Sequence, residues 1–185
     1  MKMLNYLVNK LVAWAKTRPY FDLPGYMERW WIRKPKPGRN WTCRLHHILS
    51  SDNDRHLHDH PWPYVTIILR GGYWETRPTA EKNWAKDTVK WNGEFGPAGS
   101  WVERKWRGPG SILIRKPNSY HQLTLPEGKT ALTMFWMGPH TQHWGFMTPT
   151  GKIYWREYLN DWTGYEPGYY LHQPRERIQT THEGD

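Results

Sequence analysis

Residues 55–62 read Arg55-His56-Leu57-His58-Asp59-His60-Pro61-Trp62, and the three histidines at alternate positions decide how the chain is read. In an extended strand residues i and i+2 point to the same side, so His56, His58 and His60 can share one face. Two imidazoles at that spacing come within reach of one ion. Neutral imidazole is a common ligand for iron, zinc, copper and nickel. A third ligand must then arrive from a distant strand. His121 is the best candidate, because the turn Lys116-Pro117-Asn118-Ser119 can aim it back across a barrel. The alternative is that His56 completes the set from the same strand.

Working outward, the chain around this segment is made of short β-rich runs separated by turn residues. Glu28–Arg33 reads as a strand, and Trp41, Cys43, Leu45, His47 and Leu49 alternate along the next. A single run is expected from His58 to Leu69, closed by Gly71-Gly72, with further strands at 73–76, 111–115, 120–125 and 130–137. The polar stretch 78–108 should hold a hairpin or a long loop. Many short strands at regular spacing point to a sandwich or closed barrel. Only the N-terminus departs from this texture. Leu4, Leu7, Val8, Leu11 and Val12 carry the spacing of an amphipathic helix over 3–16, ended by Pro19. That helix is expected to pack across one side of the barrel.

Composition bounds the function. At 185 residues the chain fits one domain, and 14 Trp with 11 Tyr place much of the apolar burial in large rings. The formal net charge of +9 favours anionic partners. However, Lys and Arg are scattered, apart from mild clusters at Arg33, Lys34, Lys36 and Arg39 and from Arg104 to Arg107, so a dedicated nucleic-acid face is not favoured. A lone cysteine, Cys43, excludes a disulfide framework and a multi-cysteine zinc site, and agrees with a reducing cytoplasm. The N-terminal apolar stretch is broken by Asn5, Asn9 and Lys10 and makes a poor signal peptide, and no stretch approaches the ~18 apolar residues of a membrane span.

With these residues in place the sequence resembles the cupin superfamily. Its first motif has, in outline, His-x-His, three or four residues, Glu, six residues and Gly. His58-Asp59-His60, then Tyr64 and Gly71, reproduce that spacing. Its second motif runs from Gly through Pro-x-Gly to His, and Gly110, Lys116, Asn118 and His121 reproduce that one. Three positions depart from the pattern. Tyr64 (or Val65 at the longer spacing) replaces the usual glutamate ligand, Lys116 and Asn118 stand where Pro and Gly are common, and Leu125 takes the place of the final Asn. The missing glutamate makes the pattern similar to the thiol dioxygenases, in which three neutral histidines hold ferrous iron with open positions. The texture of His-Asp-His-Pro-Trp, Ile-Ile-Leu-Arg-Gly-Gly-Tyr, Trp144-Gly145-Phe146 and Tyr154-Trp155-Arg156 also resembles small uncharacterised cupin-like proteins of bacteriophages and bacteria.

The resemblance implies an all-β double-stranded β-helix, or jelly-roll, barrel with a short N-terminal α-helix. It would be divided as a helical appendage over 1–22, a barrel over 23–163 and a C-terminal extension over 164–185. It implies a divalent metal on His58, His60 and His121. Fe(II) is favoured over zinc, nickel or manganese, and the enzyme would be a mononuclear non-haem dioxygenase acting on a small polar or anionic substrate. Tyr64, Arg70 and Arg115 are the candidate catalytic residues: Tyr64 as a proton donor, and the arginines, with Arg44, as clamps for a carboxylate or phosphate if they face inward. Cys43 could face inward beside His47, although a lone strand cysteine is more often a small buried hydrophobe, and His140 and His143 are loop histidines that could reach the barrel mouth but are usually exposed. The competing reading is a non-catalytic barrel that recognises nucleic acid or a protein, with a structural or lost metal. A homodimer is compatible with the aromatic-rich ends. The expected compartment is the cytoplasm, of the host for a phage-encoded protein.

Overall fold

The computed structural model describes residues 2–38, 40–54, 56–79, 88–90, 101–148 and 150–160. Arg39, Arg55 and the extension expected over 164–185 lie outside them, as do 80–87 and 91–100 of the polar stretch. The described strands are β1 (Met27–Arg33), β2 (Thr42–Ile48), β3 (Leu57–His58), β4 (Tyr64–Gly71), β5 (Tyr73–Thr79), β6 (Thr88–Lys90), β7 (Trp101–Arg107), β8 (Ile112–Arg115), β9 (Gln122–Thr124), β10 (Ala131–Met137), β11 (Gly145–Thr148) and β12 (Gly151–Tyr154). Helices α1 (Lys2–Lys16) and α2 (Trp155–Tyr158) flank them.

The strand order is that of a long hairpin rolled into a barrel. Strand β2 pairs β10, β4 pairs β8, and β5 pairs β7, all antiparallel. Between them, β3 meets the start of β9 through a bridge of His58 to His121, whose backbone hydrogen bonds measure 3.0 and 2.9 Å. The strands lie in three sheets, β1-β2-β10-β4-β8, β6-β7-β5-β9 and β12-β11-β3. That arrangement is the jelly-roll solution to exposed sheet edges, a double-stranded β-helix. The fold is thus mostly β with a short N-terminal helix, as the sequence reading expected.

Alternation along the strands sorts the two faces. Arg44, His46 and Ile48 of β2, Tyr64, Thr66 and Ile68 of β4, and Thr133, Phe135 and Met137 of β10 face the interior. Leu45 and Leu132 face outward and are buried with Trp30 under Val8 and Ala15 of α1. The helix beds by its later turns. Leu4 and Leu7, on the same expected stripe, remain 61% and 55% exposed. Cys43 shares the outward parity of Leu45 and is fully buried there, the small buried hydrophobe of the sequence reading rather than an inward partner of the centre.

Two other expectations are corrected. The run from His58 to Leu69 is split, because Pro61 and Pro63 cannot donate to a ladder and end β3 before β4 begins. The hairpin of β11 and β12, with α2 behind it, was not anticipated. It depends on Gly145, where a Cβ would sit 2.1 Å from the Ile153 carbonyl oxygen. At the end of β4, Gly71 adopts a φ of +69°, and a Cβ there would lie 2.0 Å from the Thr130 carbonyl oxygen. Only glycine meets both demands. Among the described residues, no helix is long and apolar enough to cross a membrane.

Candidate metal centre

Strand β3 carries His58, the segment after it carries His60, and the bridge residue before β9 is His121. Their ring centroids are 5.3, 4.8 and 5.0 Å apart. One ligand nitrogen from each lies within 4.8 Å of the others. The Nε2 atoms of His60 and His121 approach to 2.9 Å. His121 is buried and the other two are nearly so.

What orients the rings stands behind them. Asp52, in the polar turn after β2, places Oδ2 3.8 Å from Nδ1 of His58. It is itself held by the Tyr26 hydroxyl and by the Leu123 N–H at 2.6 Å. Glu75 of β5, 1% exposed, places Oε1 3.4 Å from Nδ1 of His121. The Nε2 atoms of His60 and His121 face each other, and the Nδ1 atoms of His58 and His121, which make no hydrogen bond among the described residues, have these two carboxylates as nearby acidic groups. Burial pushes His58 down to about 4, with the pull of Asp52 outweighed, and holds His60 well below the ordinary histidine range. These two rings are neutral at physiological pH, as ligands must be. A set of converging imidazoles, with no carboxylate among the donors, fits a borderline transition metal better than magnesium or calcium, which take oxygen ligands.

Asp59, between two of the histidines, points away from them. Fully buried, it accepts hydrogen bonds from the Gly145 N–H at 2.8 Å, Gln142 Nε2 at 2.8 Å and Lys152 Nζ at 2.6 Å. It ties the ligand segment to β11 and β12. His56 is not part of the centre: its Nδ1 pairs with the Tyr158 hydroxyl of α2 at 2.8 Å.

The other sequence candidates separate by face. Tyr64 is interior and 2% exposed, with its ring 4.6 Å from that of His60 and 4.9 Å from Phe135. Its hydroxyl is buried without a partner among the described residues. Arg70 is exposed on the outer surface and donates from Nη2 to Asn9 of α1 at 2.7 Å, so it cannot reach an interior substrate. Arg115 faces inward, but Glu75 takes its guanidinium, with Nη2 at 3.0 and 2.8 Å from the two carboxylate oxygens. Arg107 Nε adds a third donor to that carboxylate at 2.7 Å. Arg44 and His46 of β2 face the interior, each 8% exposed. His140 and His143 are exposed and pack on each other, with ring centroids 6.1 Å apart.

Asp52, Glu75 and His46 were missed from the sequence. The signal for Glu75 was present, since Tyr73 and Glu75 alternate on a strand whose inward parity Tyr73 sets. A carboxylate at an inward position is rare enough to flag.

Because the Tyr64 hydroxyl makes no hydrogen bond, Tyr64→Phe is expected to leave stability within ~0.5 kcal/mol of the wild type or to raise it. Urea denaturation of the metal-free protein measures this, and a loss above ~1 kcal/mol would reveal a partner for the hydroxyl.

No protein-family model matches the sequence, and no curated protein matches it either. Solved structures do. The chain is similar to the hydroxypropylphosphonic acid epoxidase from S. wedmorenis, at 10% identity and a TM-score of 0.45, over 66% of this chain and 56% of that one. It is similar to a cupin-like protein from Thermotoga maritima at 14% identity and a TM-score of 0.43, over 80% and 96% of the two chains. It is also similar to the DMSP lyase DddQ from Ruegeria pomeroyi at 11% identity and a TM-score of 0.45, over 72% and 64%. Likeness at this level does not carry an activity across. The nested pairing of β2 with β10, β4 with β8 and β5 with β7, with the bridge of His58 to His121 between them, is a property of the chain itself, and by it this protein is a double-stranded β-helix.

Proposed function

We propose that the chain binds one divalent transition metal, Fe(II) in the working protein, and acts as a mononuclear oxidoreductase of the dioxygenase type on a small anionic substrate. The observation that carries this reading is the convergence of three imidazoles, backed by Asp52 and Glu75, in a buried interior. His58, His60 and His121 would hold the metal. When bound there it would supply a redox-active Lewis acid with coordination positions left open, because Tyr64 replaces the carboxylate that would otherwise fill a fourth.

The chain's own residues have separable tasks. Asp52 and Glu75 would steady the rings of His58 and His121 by charge from the Nδ1 side, at 3.8 and 3.4 Å. Tyr64 and Phe135 wall the centre with aromatic surface, which excludes water and strengthens every charge interaction inside. The Tyr64 hydroxyl, raised well above the ordinary tyrosine range chiefly by burial, keeps its proton and is available to donate to a ligand atom.

Anaerobic purification, reconstitution with Fe(II), Zn(II), Ni(II) or Mn(II) in turn, and elemental analysis test the reading. The wild type is expected to retain about one equivalent per chain, and His58→Ala and His121→Ala only traces with unchanged far-UV circular dichroism. Oxygen uptake by the Fe(II)-loaded protein with small organic acids tests the reaction class. Retention of no transition metal would end the metal reading, and turnover with zinc alone would replace the oxidoreductase with a hydrolase or isomerase.

A further inference from the structure

The interior holds a second group of polar side chains that the metal centre does not use. Arg44 lies in an aromatic cage, its guanidinium carbon 3.9 Å from the ring centroid of Tyr20, 4.8 Å from Trp31 and 5.8 Å from Trp62. Among the described residues no carboxylate forms an ion pair with this guanidinium. Its Nε is buried without a hydrogen-bond partner. Cation–π contact offsets part of the cost of removing a charge from water, but it leaves the buried Nε–H unsatisfied.

The surroundings sharpen the imbalance. Arg29 shares the Tyr20 ring at 4.8 Å, and its nearest acidic neighbour, Asp22, accepts from the Arg29 backbone N–H at 2.9 Å. Arg29 and Arg44 therefore place two positive charges on the same ring, and Asp22 acts on Arg29. His46, two residues along β2, stacks on Phe135 at 4.9 Å and also has a buried Nε2 without a partner. Burial, then the charges of Arg44 and Arg29, hold its ring neutral. Burial lowers Arg44 to about 10, which leaves it charged at neutral pH.

The group is continuous with the metal centre. Phe135 stacks on His46 and lies 5.9 Å from His60, and Trp62 follows the ligand segment directly. We propose that Arg44 and His46 form an anion subsite that holds the carboxylate of a small organic acid, whose other end extends past Phe135 toward His58, His60 and His121. The second half of this assignment rests on the metal reading above, and the first half does not. A carboxylate suits the site better than a phosphate, because the guanidinium fork matches a planar pair of oxygens and His46 adds no charge to balance a dianion.

The test uses metal-free full-length protein in chloride-poor buffer, titrated calorimetrically with propionate and, separately, with inorganic phosphate. Wild-type protein is expected to bind propionate saturably and more tightly than phosphate, and His121→Ala to bind it equally well. Arg44→Met should weaken propionate binding at least tenfold, on the order expected for a charge-assisted pair. Arg44→Lys, which keeps the charge and loses the fork, should fall between them. In the absence of anion, Arg44→Met should melt no lower than the wild type, since it removes an unpaired buried charge. A lower melting temperature without any change in propionate binding would make Arg44 a structural cation and overturn the subsite. Absence of saturable propionate binding would overturn it as well, and Arg44-dependent binding that favours phosphate would overturn the carboxylate assignment. Metal retention in Arg44→Met keeps failure of the subsite distinguishable from failure of the metal centre.

Discussion

Glu75→Gln is expected to lower the unfolding free energy by roughly 3–5 kcal/mol, the range for breaking a buried ion pair from one side. The carboxylate is 1% exposed, and it serves Arg115, Arg107 and His121 together. The amide is nearly the same shape but cannot neutralise two guanidiniums whose side chains are 10% and 14% exposed. For a domain of this size the change corresponds to a melting temperature lower by roughly 10 °C. Metal affinity should fall about 10- to 100-fold, because His121 loses the group that turns it. The pH dependence separates this from simple packing loss. Burial opposes ionisation of Glu75, yet its contacts with His121 and Arg115 hold the carboxyl well below its ordinary value of 4.5. A depressed folded-state value means the stabilisation is complete above pH ~4.5 and is lost as pH falls further. The gap between wild type and Glu75→Gln should therefore be widest at neutral pH and narrow on acidification below ~4.5. Urea denaturation of both metal-free proteins at a series of pH values provides the measurement. A gap under ~1 kcal/mol at pH 7 would show that the guanidiniums find other partners.

The barrel was legible because its signals are local. Alternation in β2, β4 and β10, the Gly71-Gly72 turn and the amphipathic spacing of α1 each concern residues within a few positions of one another. The grouping of His58 and His60 with His121 could be anticipated for a related reason: both segments carry recognisable spacing, although they lie far apart in the chain. What could not be read is set by long-range parity. Nothing near Arg70, Arg115 or Arg44 says which of the three enters the barrel free. Strand register turns Arg70 out to Asn9, turns Arg115 in to be occupied by Glu75, and turns Arg44 in with its Nε unpartnered among the described residues. His56 looked equivalent to His58 and His60 on a single strand. His56 instead lies before β3, which begins at Leu57, and α2, from a segment with no clear helical period, supplied the Tyr158 hydroxyl that takes it.

Asp59→Ala is expected to destabilise the metal-free protein by about 3 kcal/mol, the lower end of the range for a broken buried pair, because Lys152 is one-third exposed and can return to water. The larger consequence is mechanical. Asp59 fastens the ligand segment to β11 through the Gly145 N–H, while its own N–H donates to the Gly145 carbonyl at 3.0 Å. Gln142 Nε2 bridges the same carboxylate to the His60 carbonyl, at 2.8 and 2.9 Å. Cutting these ties frees His58 and His60 without touching either ring, so metal affinity should fall at least about tenfold, as for loss of an outer-shell partner. Asp59→Asn keeps an acceptor for Gly145 and loses the ion pair, and should cost about 1 kcal/mol with affinity largely kept. The contrast with the ligand variants is diagnostic. His58→Ala should abolish metal retention while costing little in the metal-free fold, whereas Asp59→Ala should reduce both. Chelator competition and urea denaturation on the same preparations resolve the two patterns. An Asp59→Ala protein that loses stability yet binds metal like the wild type would show that β3 and β9, paired through His58 and His121, hold the centre without the tether.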